Sequence, residues 1–389
     1  VIVHRRHPGL WVFGIDQDQV QLCWRGLRPG ELRLRVLDAD LELDVRLDVG
    51  PEPASTVLHG LPAGRTLTIE ATGTALDRSR TRRVRTLAPL PGDELVRLAT
   101  ISDLHLGARG FGHLGTIRDR SGHPVPHTER CAGAAIDEAL AWGAQRLVVK
   151  GDITNSARPS EWRSYAQLVG DLPIPVDAVP GNHDHGPPQV VGVLTPPDAA
   201  ASFGLSVADP LLVRDLPGLR LIIAATTRPG RHGGTLAPIT DEVLDAAAEA
   251  DRDGVVLVAL HHQLHGPTGP EGWPPGVPWA ESSAFLDRLG AAHPRAMVTS
   301  GHTHRHRRWS RAGVTVTQVG ATKDYPGVWA GYVVHEGAIR QIVRRTARPD
   351  VIGWTDHTRI AAYGAWEHAA PGRLAARCFD LRWDRDRRP

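Results

Sequence analysis

Lysine is nearly missing from this chain of 389 residues: Lys150 and Lys323 are the only two, so the 45 basic residues are almost all arginine. With abundant Ala, Gly and Pro, that bias reads first as the codon usage of a GC-rich genome and only second as a phosphate-binding surface. The 43 acidic residues leave a net charge of +2, which gives no electrostatic case for a nucleic-acid or membrane-surface binder. Cysteine is scarce as well. Cys23, Cys131 and Cys378 are widely separated and odd in number, which excludes a disulfide framework or a CxxC metal site and favours a reducing compartment. No run approaches the ~20 apolar residues of a membrane span. Residues Val1 to Gly14, with HRRHPG among them, lack the apolar stretch and small residues of a secretory leader. A cytoplasmic protein of two or three domains is the expectation.

Residues 1–90 alternate apolar and polar positions over short runs, Gln19 to Trp24, Glu31 to Leu37, Leu41 to Leu47 and Thr66 to Ala71, with Gly- and Pro-containing turns between them. Period-two alternation in spaced runs predicts a small all-β sandwich. The segment LHGLPAGRTLTIEATG, Leu58 to Gly73, resembles the late strands of a fibronectin type III-like module, with Leu67 where that family often carries Tyr. The stretch Ala88 to Glu94 reads as a linker.

From Leu95 the pattern becomes apolar strands alternating with helices. Strands are expected at Val96 to Ile101, Arg146 to Val149, Val176 to Val179, Leu219 to Ala224, Val255 to Leu260 and Ala296 to Thr299. Helices are expected at Glu129 to Trp142, Ser160 to Val169 with Ser160 as cap, Thr240 to Ala250 and Ala280 to Leu289. Further β-runs come after these, Val314 to Val319, Gly331 to His335 and Ala338 to Val343, and suit a second sheet packed on the first. The closing residues show no clear period, and RWDRDRRP reads as a solvated end. The domains expected are thus 1–90, 95–345 and a C-terminal extension, 346–389.

Metal-competent residues stand just after several of these strands: Asp103-Leu104-His105, Gly151-Asp152, Gly181-Asn182-His183-Asp184, His261-His262 and Gly301-His302-Thr303-His304. Alternate residues on an extended strand end face one side, so Asp103 and His105 can share an ion, as His304 can together with His302 or alone. Carboxylate and imidazole donors without thiolate suit Mn, Fe or Zn, and a carboxylate such as Asp152 can bridge two ions. The glycines before Asp152, Asn182 and His302 allow sharp turns and close approach.

The series D-x-H, G-D, G-N-H-D, H and G-H-x-H, over Arg97 to His306, resembles the calcineurin-like metallophosphoesterases. The resemblance implies a four-layer α-β-β-α sandwich, here preceded by the β-module, and a dinuclear metal centre of two divalent or mixed-valence ions. Carried over by motif, Asp103, His105 and His304 bind one ion, Asp152 bridges, and Asn182, His261 and His302 bind the other. His261 is taken as ligand over His262, which becomes a supporting or packing residue. His183, held by Asp184, would stand near the leaving group, and Asp184 would fix its tautomer. Hydroxide bridging the ions would be the nucleophile.

Purple acid phosphatases share these blocks but place a metal-binding Tyr where this chain has Asn155. The runs Gly151 to Leu168 and Pro175 to Asp184 are more similar to class III cyclic nucleotide phosphodiesterases. Those usually continue GNHD with a charged residue and Arg; here His185-Gly186-Pro187 come next, which tells against cyclic AMP itself. The expected activity is phosphodiester hydrolysis, on a small phosphate ester such as a nucleotide. The alternatives are a phosphomonoesterase, a protein phosphatase or a non-catalytic metal-binding interaction protein. Two loops are candidates for specificity: Gly107 to Thr128, with Arg109, Arg118 and Arg120, and Gly266 to Pro278, with Trp273 as a stacking surface for a base. Both also read as a solvated insertion and a packing Trp. His113, His123, His127, His293, His306, His335, His357 and His368 match no block and read as surface or packing residues.

Overall fold

In the computed structural model, residues 9–38, 41–112, 115–186, 191–267 and 274–383 are described. The chain opens with seven strands: β1 (Gly9–Ile15), β2 (Val20–Arg25), β3 (Gly30–Asp38), β4 (Leu41–Val49), β5 (Ala54–Leu58), β6 (Thr66–Thr72) and β7 (Arg80–Arg85). They form two antiparallel sheets, ordered β1-β2-β5 and β4-β3-β6-β7. The alternation explains the burial. Leu32, Leu34 and Val36 of β3 and Leu67, Ile69 and Ala71 of β6 point inward, while Arg33 and Arg35 point outward to Asp44 and Glu70.

Buried polar groups key this module to the C-terminal strands and helices of the chain. Gln21 makes two hydrogen bonds with the backbone of Arg345, at 2.7 and 2.9 Å. Arg340 reaches Asp16 at 2.9 Å, and Asp356 takes both Arg25 and the fully buried Arg345, at 3.1 and 3.2 Å.

The remainder is built on β8 (Glu94–Ile101), the short hairpin β9 (Gly110–Phe111) and β10 (Ile117–Arg118), β11 (Leu147–Lys150), β12 (Val176–Val179), β13 (Leu211–Leu216), β14 (Leu219–Ala224), β15 (Val255–Ala259), β16 (Ala296–Ser300), β17 (Arg307–Arg311), β18 (Val314–Gln318), β19 (Val328–His335), β20 (Ala338–Arg345) and β21 (Phe379–Arg382). Two six-stranded sheets result, ordered β12-β11-β8-β19-β20-β21 and β13-β14-β15-β16-β18-β17. Helices α1 (His127–Ala141), α2 (Pro159–Val169) and α3 (Pro196–Phe203) cover the first; α4 (Thr240–Ala248) and α5 (Trp279–Ala292) cover the second.

Strand residues alternate between layers. Val148 joins Leu221, Leu257 and Met297 between the sheets, whereas Leu147 and Val149 pack under Ala135, Ile136 and Ala139 of α1. Ile222, Val256 and Val258 likewise meet Val243, Phe285 and Leu286 on the other outer face. Burial on both faces is why these strands are continuous apolar runs. Truncating one, as in Leu257→Ala, costs about 2–5 kcal/mol. The four-layer α-β-β-α architecture is the one expected.

Two local readings differ from the structure. Helix α2 begins at Pro159 with Arg158 in the cap position, not with Ser160 as cap. Pro at the first helical position lacks an N–H to satisfy, and the Glu161 carboxylate accepts from the backbone of Ser156 and Arg158 at 2.8 and 3.2 Å. The C-terminal residues are also more ordered than their lack of period suggests. Helix α6 (Pro349–His357) buries Trp354, and β21 extends the first sheet beside β20. No helix among the described residues is long and apolar enough to cross a membrane, and all three cysteines are free and buried.

Candidate metal centre

Parallel strands β8, β11 and β12 of one sheet and β15 and β16 of the other end on the same edge, so the loops leaving them converge. Asp103, His105, Asp152, His302 and His304 all have positive φ, between 46° and 66°. For side chains with a Cβ that region is unfavourable by about 1–2 kcal/mol each. Hydrogen bonds at the turns hold it. The Asp103 N–H donates to the Gly151 carbonyl at 3.0 Å and the His105 N–H to the Asp152 carbonyl at 2.8 Å, while the His302 N–H meets the Asp103 carboxylate at 3.1 Å. Gly151 takes φ +79°, and a Cβ on Gly181 would overlap the Asp152 carboxylate.

Asp152 faces both halves of the site. Its Oδ2 lies 3.4 Å from His105 Nε2 and its Oδ1 3.4 Å from His261 Nε2. On the first side Asp103, His105 and His304 gather, with His304 Nε2 3.5 Å from Asp103 Oδ1. On the other, His261 Nε2 stands 3.3 Å from Asn182 Oδ1 and 3.1 Å from His302 Nδ1. His261 Nδ1 donates to the Lys150 carbonyl at 2.8 Å and His302 Nε2 to the Pro275 carbonyl at 3.0 Å. The two nitrogens that face each other therefore both carry lone pairs, an arrangement that repels unless a cation lies between them.

The donor set fits metal ions in other respects. Neither ring nitrogen of buried His105 has a hydrogen-bond partner among the described residues. Burial pushes His105 and His302 well below the ordinary imidazole range, keeping them in the neutral, ligating form. Burial pushes the Asp152 carboxyl up, but the imidazoles of His261, His183 and His302 outweigh it and hold the group at about 2. The ring nitrogens of His262 are both engaged, Nδ1 with Thr226 Oγ1 at 2.9 Å and Nε2 with the His232 carbonyl at 3.1 Å. The geometry thus favours His261 over His262 as donor. His262 nonetheless lies within reach of His261 and His302, and His183 within reach of His105 and Asp152; no histidine beyond these and His304 joins a donor cluster among the described residues.

His183 lies with its ring edge-on to His105, centroids 4.5 Å apart, and its backbone N–H donates to Asp152 Oδ1 at 2.9 Å. The role expected of Asp184 is corrected. Its carboxylate accepts from the N–H groups of Ile153, Thr154 and Gly181 and from the Thr154 hydroxyl, at 2.7–3.1 Å. His183 Nδ1 instead meets the Asn155 carbonyl oxygen at 2.8 Å. The short turn after Gly181 folds Asp184 back under the loop, so a backbone carbonyl fixes the tautomer.

The structure adds residues that the motifs do not reveal. Asp324 Oδ2 lies 2.5 Å from His304 Nδ1. Both lysines are buried at the site: Lys150 donates to Thr299 Oγ1 and the Ser300 carbonyl at 3.0 Å, and Lys323 lines the cavity. Their rarity in an arginine-rich chain is the signal that could have found them; nothing in the sequence marks Asp324. The cavity, about 740 Å³, opens over His105, His183, His302 and His304. Phe111 and Trp366 wall it, and Arg109 and Arg118, though not Arg120, line it. Trp273 and His113 lie outside the described residues.

The family model for calcineurin-like phosphoesterases matches residues 96–306. A curated relative, the "Probable cyclic nucleotide phosphodiesterase" of Psychrobacter arcticus, is 25% identical over 237 residues, 59% of this chain and 81% of that protein. Among solved structures, a purple acid phosphatase from yellow lupin seeds is 14% identical with a TM-score of 0.47, covering 88% of this chain and 72% of that one. The phosphopantetheinyl hydrolase of Mycobacterium tuberculosis is 17% identical with a TM-score of 0.36, over 59% of this chain and 90% of that one.

Proposed function

Because the chain belongs to the calcineurin-like phosphoesterase family, we propose that it is a two-metal hydrolase of phosphodiesters. The observation that carries this reading is Asp152, which offers one oxygen to each of two separate donor sets. Asp103, His105 and His304 would hold one ion and Asn182, His261 and His302 the other, with Asp152 between them. Bound there, Mn, Fe or Zn would supply an acidified water as nucleophile and neutralise charge on the phosphoryl oxygens.

The chain's own residues do the rest. His183 has Nδ1–H committed to the Asn155 carbonyl, which leaves Nε2 as the atom able to face the substrate. Protonated, it donates to the departing alkoxide oxygen, a contribution of roughly 10²–10⁴ in rate. Asp184 ties the backbone of residues 153, 154 and 181 together and so keeps Asp152 and His183 in register. The name of the Psychrobacter relative favours a diester over a monoester. The presence of every block residue favours an enzyme over a binding module. Residues 1–90 act as a fixed β-module, 95–345 as the phosphoesterase domain, and 346–389 as an extension that completes its sheet and contributes Trp366 to the cavity.

The test is hydrolysis of bis(p-nitrophenyl) phosphate, p-nitrophenyl phosphate and cyclic AMP by protein loaded with Mn, Zn or Fe. The diester bis(p-nitrophenyl) phosphate is expected to be the better of the two nitrophenyl substrates, and Asp152→Ala to abolish the activity. No hydrolysis with any of the three metals overturns the reading.

A further inference from the structure

Resting on that reading, we propose that the substrate is a chain of several phosphates, a single-stranded oligonucleotide, laid along an arginine groove that leads away from the metal centre. A second cavity, about 720 Å³, shares Pro274, Thr303 and Arg305 with the first as a common wall. Arg109, Arg118 and Lys323 line the metal-centre side; Arg307, Arg308 and Arg373 line the other. No carboxylate lines either cavity among the described residues.

Many arginines elsewhere are paired, as in Arg33 with Asp44, Arg130 with Asp119, Arg220 with Asp215 and Arg340 with Asp380, while others, such as Arg82, Arg252 and Arg377, meet backbone carbonyls. None of the groove cations has an ion pair among the described residues. Arg308 turns to the Ala375 carbonyl, and Arg305 stacks on Trp366 with its Nε buried and without a hydrogen bond.

Aromatic faces are interleaved with these cations: Phe111 and Trp366 in the first cavity and Trp309 in the second. Cations that track a backbone beside rings that stack on bases are the two components of sequence-tolerant single-strand binding. A cyclic nucleotide occupies only the first cavity's chemistry; a strand uses both. The net charge of +2 does not reveal this, because it is a sum over the whole chain.

The test uses metal-loaded protein, with a hydrolysis-resistant phosphorothioate deoxythymidine decamer for binding by fluorescence anisotropy and the ordinary decamer for turnover. With about three groove phosphates the dissociation constant should rise roughly twentyfold between 50 and 200 mM salt. The exposed double substitution Arg307→Ser and Arg373→Ser should weaken binding about tenfold at 50 mM. It should also lower kcat/KM on the decamer about ten times more than on bis(p-nitrophenyl) phosphate. Binding insensitive to salt, or equal losses on both substrates, overturns the groove. Salt- and arginine-dependent binding without hydrolysis of either substrate keeps the groove and overturns the diesterase reading instead.

Discussion

The Nδ1 atom of His304 meets Asp324 Oδ2 at 2.5 Å, with Asp324 fully buried behind a ring that faces the cavity. Burial disfavours the imidazolium, but Asp324 and Asp103 outweigh that and raise the His304 pKa. A carboxylate behind a ligating imidazole orients the ring and raises its basicity. Asp324→Asn is therefore expected to weaken the ion proposed for Asp103, His105 and His304 about tenfold or more. Metal content after dialysis against a graded chelator checks this, and full retention of both ions would contradict it.

His183 and Asp184 are adjacent but should fail differently. His183→Asn is expected to lower kcat by about 10²–10³ with metal content intact, and most for substrates with poor leaving groups. Asp184→Ala removes the acceptor from three backbone N–H groups and a hydroxyl. Its principal effect should be on stability, about 2–4 kcal/mol. Thermal melting beside leaving-group dependence separates the two; a stable Asp184→Ala with a flattened leaving-group profile would return Asp184 to the proton path.

Asp356 tests how firmly the N-terminal module is seated. It faces Arg25, Arg345 and Arg359, and Arg345 is fully buried. Asp356→Ala leaves that guanidinium without its carboxylate and should cost about 3–5 kcal/mol. Urea unfolding monitored by tryptophan fluorescence measures it. A loss below about 1 kcal/mol would mean that the module's contacts do not depend on this cluster.

Stability should also depend on pH through His127, which lies against Trp354 with ring centroids 4.1 Å apart. Burial, aided by Lys323, pulls its pKa from 6.5 to about 4. Between those values the unfolded chain binds a proton that the folded one does not. The contribution is thus complete above pH 6.5 and falls as pH drops toward 4, by about 3 kcal/mol in all. His127→Phe keeps the ring and removes this slope. Urea midpoints of metal-free protein at about pH 7 and about pH 4.5, compared with wild type, are the check; identical pH dependence would count against His127.

Much of the catalytic half is legible in the sequence because its signals are local. Apolar runs such as Val255 to Ala259 announce strands buried on both faces, and D-x-H or G-N-H-D keep their meaning within a few residues. Asp324 carries no such mark, since its contact with His304 spans a loop and a β-hairpin. The segment 346–383 is opaque for the same reason. Its helices are short, and Trp354 and Trp366 pack against residues more than 200 positions earlier.

By itself, then, the sequence determined the strand and helix order, the family resemblance and the residues able to bind metal, all of which depend on periodicity and side-chain chemistry. Which atoms converge was decided only by the fold. It turned Asp184 away from His183, gave His262 two partners of its own, and set Lys150 beneath the site and Lys323 in its wall. It also gathered unpaired arginines on one wall. A net charge is a sum over the whole chain, whereas a substrate meets only the charges that the fold brings to one surface.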